Sequence, residues 1–446
     1  MPTIRLAIMT AAAVAALADA AAGNVWHPPT TVARGGDVQF DLAMGSDGTA
    51  ALAWSRDGVR VAVKRPGRAW SRPRRVDEGR FGVGRPAAAV TARGEVVVAW
   101  PQNGTRVDAP GPVVGPLTVG AAVRSTRGTW GQAMRIGRTG HFAAAQLDLA
   151  ANGRGDTVAV WRGGRTLRSG RRTEAIHAGF RPAGGSFTPA QVIPDAAVAA
   201  LRATPVAGLD ERGRAFAAWT SGPEPVVRLA TRAPGRRGTW RSSRTLGSSP
   251  GSNPVLAVTP GGAAIVAWRA SDLDSEGNGI QAGALWTATR SPSGILAAPQ
   301  LISPARTRNY RIAVNPAGET ILSWAPSVGD PASPPDGSAL RVAVRPPAGR
   351  AFGPATLVPW IRPGEFHGGL ATLGDSTTLL AWGADGRVRL VARRPAGGFA
   401  SAPEVDEPGL YPLVAAAGRR AVAAWVVARG DEVELVAAAG TAPSSR

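Results

Sequence analysis

The chain has 446 residues, no cysteine, and 51 Lys+Arg against 31 Asp+Glu, a formal net charge of +20. Without thiols it uses neither disulfides nor thiolate-bound metal, and redox chemistry at cysteine is excluded. The positive charge is almost all arginine, Lys64 being the single lysine, and it is spread along the chain instead of forming one run. That spread argues against a specific nucleic-acid contact. It leaves two readings open: a polyanion-binding surface, or a genomic bias towards arginine and alanine.

Residues 1–20 place Arg5 before an Ala-rich apolar stretch that ends in Ala18-Asp19-Ala20. This is the pattern of a secretory signal peptide with cleavage expected after Ala20, which predicts an exported, extracellular protein. No later stretch reaches the roughly 18 apolar residues of a bilayer span, so no transmembrane segment is expected.

From residue 40 onwards one pattern is spelled eight times: a short apolar run ending in Trp, a variable loop, a second strand, a Gly-containing turn and an aromatic-led closing strand. The run-ending residues are Trp54, Trp100, Trp161, Trp219, Trp268, Trp324, Trp382 and Trp425, at separations of 43 to 61 residues. They define repeats one to eight. Such a period is that of one four-stranded propeller blade. Each Trp run (for example VVVAW at 96–100 and AVAAW at 421–425) is apolar on both alternating faces, as a strand buried on both sides must be.

Repeat eight ends without a closing strand, and the missing one stands at the other end of the chain. VWHPPTTV at 25–32 matches the closing strand WSRPRRV at 70–76. The sequence therefore predicts an all-β fold. It is a single eight-bladed β-propeller over 21–440, closed by an N-terminal strand completing the last blade, with a disordered tail at 441–446. Closing the ring this way removes open sheet edges. SGILAAPQLI at 293–302 is a weak closing strand, so seven blades remain the alternative.

The order of strands, with Gly and an aromatic at the third-to-fourth strand turn (Gly128 and Trp130, Gly238 and Trp240), resembles the Asp-box (BNR) repeat of sialidase-like propellers. The Asp of that box is missing from every copy. The resemblance implies the architecture. It carries none of the family's catalytic motifs: only Tyr310 and Tyr411 are tyrosines, and Tyr310-Arg311-Ile312 is a faint echo of the family's Arg-Ile-Pro motif.

Candidate site residues come from the unrepeated positions. Long insertions at 101–120, 162–173, 269–280 and 325–338 all follow the Trp strand, which places them together on one face, where binding sites gather. At the start of the innermost strands Asp41, Asp148 and Arg311 stand where other repeats have Ala87, Val206, Val255 and Gly369. Blade connections add Tyr310, Glu365, His367 and Tyr411. In the repeat-five insertion Asp272, Asp274, Glu276 and Asn278 alternate ahead of further glycine, an arrangement that can aim several oxygens at one calcium ion. No other cofactor is expected.

On the opposite face Lys64, Arg65, Arg124, Arg181, Arg232, Arg290, Arg345, Arg393 and Arg394 recur at the turn into the closing strand. Stacking on neighbouring aromatics or binding strand-end carbonyls is the expected role. The leading functional reading is a secreted, monomeric, non-catalytic propeller. It binds an extracellular glycan, wall polymer or protein through its insertion-bearing face. The alternative is a sialidase-like glycoside hydrolase or lyase.

Overall fold

The computed structural model describes residues 25–442 except 36–38, 57, 78–83, 103–116, 141–145, 167–171, 195–204, 222–225, 248–250, 271–282, 327–339, 348, 359–367, 396–397, 401–403 and 431. Every regular element among the described residues is a strand, and all strand pairs are antiparallel. Repeat one pairs Gln39–Met44, Ala50–Arg56, Gly58–Lys64 and Arg74–Arg75 in that order, and repeats two, three, four and seven form four-stranded sheets of the same order. Repeats five and six share one seven-stranded sheet, because Gln300–Val314 runs unbroken from the last strand of one into the first strand of the other.

Alternation along the Trp strand sends successive side chains to opposite neighbours. In repeat one, Leu52 and Trp54 pack against Val422, Ala424 and Leu435 of repeat eight, while Ala51 and Ala53 pack against Val96 and Val98 of repeat two. The same division recurs between every consecutive pair of repeats, and each Trp joins the cluster it shares with the repeat before it. All eight Trp side chains are buried, at 0–2% exposure. Each indole removes roughly 150–250 Å² from water, about 4–6 kcal/mol at about 25 cal/mol per Å².

The N-terminal segment pairs with the C-terminal strand Glu432–Thr441. Thr30, Thr31, Ala33 and Arg34 lie opposite Ala437, Val436, Leu435 and Glu434, and Trp26 lies opposite Gly440. The last strand reaches Thr441, and Ala442 is buried. The segment at 293–302 does pair: Leu296 bridges Arg290 and Gln300 lies opposite Thr287. Most closing strands are shorter than their sequences suggest. In repeat one the closing segment pairs with the neighbouring strand in two short pieces, around Trp70–Ser71 and Arg74–Val76, since Pro73 between them has no N–H to donate.

A tight turn joins the first strand of each repeat to the Trp strand. Six residues before the Trp it needs a left-handed backbone, supplied in repeats one to six by glycines such as Gly94 and Gly155. Repeat seven places Ser376 there with φ 68°. A Cβ in that conformation is strained. Ser376→Gly is expected to raise stability by about 1 kcal/mol, measured as a higher denaturation midpoint at unchanged m-value.

Candidate functional site

The first strands of the repeats touch one another in chain order, and Leu410–Ala417 of repeat eight also touches Gln39–Met44 of repeat one. On these strands Asp41, Ala87, Asp148, Val206, Val255, Arg311 and Gly369 each lie opposite the residue immediately before a Trp. They are therefore equivalent positions, as the repeat alignment predicts. Two carboxylates and one guanidinium interrupt an otherwise small, apolar row.

Both carboxylates do the same structural work. Asp41 Oδ2 accepts the backbone N–H of Ala88 at 2.8 Å, and Asp148 Oδ2 accepts that of Ala207 at 2.8 Å. In each case the donor belongs to the first strand of the following repeat. An innermost strand has one edge without a ladder partner, and these bonds satisfy amides there.

Arg85, in the connection from repeat one to repeat two, ties the row together electrostatically. Its guanidinium lies 3.8 Å from Asp41 Oδ1, and its charge is felt by Asp41, Asp148 and Arg311 alike. Burial raises the Asp41 carboxyl, and Arg85 offsets part of that. Asp148 is pushed up to about 6, first by burial and further by the charge of Asp41. Burial lowers Arg311, and repulsion from Arg85 adds to it; its Nη1 donates to the carbonyl of Tyr310 at 2.9 Å. The Asp41 side chain keeps 26% exposure, so the enclosed carboxylate is still wetted from one side.

Tyr310 does not join this group. It is 3% exposed, lies opposite Trp324, and its hydroxyl donates to the carbonyls of Ser252 and Asn253. Those carbonyls belong to an irregular stretch of the repeat-five first strand, where Asn253 has φ 50°. Tyr310 is thus a clasp between two repeats instead of the ligand-facing residue that its sequence position suggests. Tyr411 is the opposite case: it is 53% exposed, with φ 55°, inside a bulge between Leu410 and Leu413. Leu410 lies opposite Val426, just past Trp425, so Tyr411 stands at the sheet end from which the insertions emerge.

Glu365, His367 and the calcium-like residues Asp272, Asp274, Glu276 and Asn278 lie outside the described residues, as do residues 1–20 and most of the four insertions. Among the described residues no group of three His, Asp or Glu side chains is placed to hold a metal.

The turn cations are largely internal. Arg232 is 1% exposed, its guanidinium 4.1 Å from the Phe180 ring centroid, and it donates to the carbonyls of Ala233, Gly235 and Arg236. Arg181 forms a two-pronged pair with Glu95 of the preceding repeat at 2.8 Å, and Lys64 donates to the Arg68 carbonyl.

The raised Asp148 carboxyl gives a signed pH prediction. The folded chain holds this proton to higher pH than the unfolded chain does. The contribution of Asp148 to stability is therefore full below about pH 4 and is lost as pH rises through about 6. Asp148→Asn keeps an acceptor for Ala207 and removes the titration. It is expected to gain about 1–3 kcal/mol relative to wild type on going from pH 4 to pH 7.5, measured by denaturant unfolding at both pH values.

No protein-family model matches the chain, and no curated protein matches its sequence. Solved structures do resemble it. An ulvan lyase of polysaccharide lyase family PL25 is 11% identical with a TM-score of 0.52, over 80% of this chain and 93% of that one. Polysaccharide lyase Uly1 is 10% identical with a TM-score of 0.50, over 94% of this chain and all of that one. The β-propeller domain of Cps50 from Myceliophteria thermophila is 9% identical with a TM-score of 0.43, over 92% and 99%. At these identities the likeness to the two lyases is one of fold, and with its repeated four-stranded antiparallel sheets the chain has a β-propeller fold.

Proposed function

We propose that the chain is an exported, non-catalytic binding protein. It is an eight-bladed ring of the sialidase-like type, closed by its own N-terminal strand, that holds an extracellular glycan, wall polymer or protein on its insertion-bearing face. Tyr411 is the observation that carries this reading. A half-exposed aromatic on left-handed backbone is costly, and such strain concentrates at binding sites. It also offers a flat face on which a sugar ring can stack. The ring itself is supported by the contact between the first strands of repeats one and eight, by the pairing of residues 25–34 with the last strand, and by the apolar cluster across that junction.

Support for binding over cleavage comes from how the polar groups are used. The carboxylates of Asp41 and Asp148 each accept a backbone N–H, and the Tyr310 hydroxyl is bonded inside the protein. The common route of glycoside cleavage uses two carboxyl groups flanking one glycosidic bond. The near-neutral Asp148 keeps the glycoside hydrolase or lyase reading as the second one, since a carboxyl with a pKa of about 6 can hold or release a proton near pH 7.

A glycan array run with wild type and Tyr411→Ala tests both. The expected outcome is retained folding with binding weakened several-fold in the variant, the loss of one stacking contact of about 1 kcal/mol. Shortened oligosaccharide products, abolished by Asp148→Asn, would replace the binding reading with the enzymatic one. Deleting residues 25–34 tests closure. It exposes the edge of Glu432–Thr441 and is expected to produce concentration-dependent aggregation; a soluble monomer of unchanged stability would refute the closed ring.

A further inference from the structure

Lys64, Arg124, Arg181, Arg232, Arg290, Arg345 and Arg393 end the third strands of repeats one to seven in a single register, each opposite the residue four before its Trp. The residue five before the Trp is held equally strictly in repeats two to six. Its backbone N–H donates to a side-chain oxygen four residues earlier, on Thr91, Asn152, Asp210, Thr259 or Asn315.

In repeats two, three and six that position is acidic and serves the cation of the following repeat, whereas it is Thr49 in repeat one and Arg214 in repeat four. Glu95 takes the Arg181 guanidinium through both carboxylate oxygens at 2.8 Å. The charges of Asp156 and Glu319, at the same place in repeats three and six, are felt by Arg232 and Arg393. In repeat five the position is Ala263. The cation that follows it, Arg345, is 7% exposed, and its Nε and Nη1 are buried with no hydrogen-bond partner among the described residues. Burial accordingly lowers its pKa. Both Ala263 and Arg345 line an open cleft of about 680 Å³ between repeats five and six, within the roughly 300–1,000 Å³ of small-ligand sites.

We propose that this cleft binds an acidic carbohydrate, whose carboxylate takes against Arg345 the place that Glu95 takes against Arg181. A buried guanidinium without a counter-charge is costly, and a planar carboxylate is the group that matches its paired donors. The rest of the wall selects the ring that bears it. Ile295, 72% exposed, and Pro347 give apolar surface, while Thr289 and Ser291 give hydroxyls. A uronic acid presents an apolar ring face, hydroxyls and a carboxylate together. Sulfate or phosphate can meet the arginine but has nothing for the apolar wall. Sheet pairing puts this cleft at the end where the Trp strands begin, opposite the end that carries the insertions, so the proposal stands apart from the loop-face reading.

Calorimetric titration of the full chain with trigalacturonate, with the neutral galactose trimer and with inorganic sulfate tests it. Trigalacturonate is expected to bind, with the neutral trimer and sulfate each at least about tenfold weaker, the loss of one charge-assisted pair. Arg345→Gln is expected to lose about tenfold. Ala263→Glu rebuilds the internal pair, so it is expected to block binding while leaving the melting temperature equal or higher, which keeps the test valid if Arg345→Gln folds poorly. Tyr411→Ala is expected to leave it unchanged. Absence of trigalacturonate binding, equal affinity for the neutral trimer or for sulfate, or full binding by Ala263→Glu would each overturn the proposal.

Discussion

The packing of each strand-ending Trp into the repeat before it is the constraint on which the rest of the molecule depends. A single four-stranded sheet has two faces and no core of its own, so each repeat is stable only through its neighbours. The Trp strand is apolar on both sides because it serves two interfaces at once, Trp54 toward repeat eight and Ala53 toward repeat two. With no disulfide available, this serial burial has to hold the array together. The residue immediately before each Trp, facing the other neighbour, is small (Ala, Val or Ser323), while the next position back on that face admits Phe216, Ile265, Ile321 and Leu379.

The polar groups inside the array are consumed by the same task. Arg232 closes its own turn, Arg181 reaches back to Glu95, and Asp41 and Asp148 reach forward to the next first strand. The formal charge of +20 therefore overstates the basic surface, since several guanidinium groups are neutralised or bonded internally. Three positions stand out against this background: Arg345 buried at the wall of a cleft, Arg85 amid two carboxylates, and Tyr411 on strained backbone.

Much of this was legible in the sequence because the Trp sets the phase of every repeat. Counting back from it puts Asp41, Asp148 and Arg311 in one row, and the register agrees. Tyr310 shows where the reasoning slips. It neighbours Arg311, but in a strand consecutive side chains point to opposite faces, so it lies opposite Trp324 and is buried. Arg85 was missed because it sits in a connection, where no periodicity assigns a direction. Ala263 was illegible for another reason. Its meaning lies in an absent carboxylate, visible only once Glu95 and Arg181, 86 residues apart, are seen to be partners.

One strand breaks the modular plan. Gln300–Val314 closes repeat five and opens repeat six without interruption, pairing with Leu285 at one end and Leu322 at the other. Elsewhere among the described residues at least one residue outside any strand separates consecutive repeats. Here a shared strand makes the two sheets one continuous seven-stranded sheet. The cleft lined by Ala263 and Arg345 lies between the same two repeats at the opposite end of their sheets, and the continuous strand ties its two walls together. A ligand there pays little for closing the walls, and preorganisation of that kind favours discrimination by shape over accommodation of many shapes.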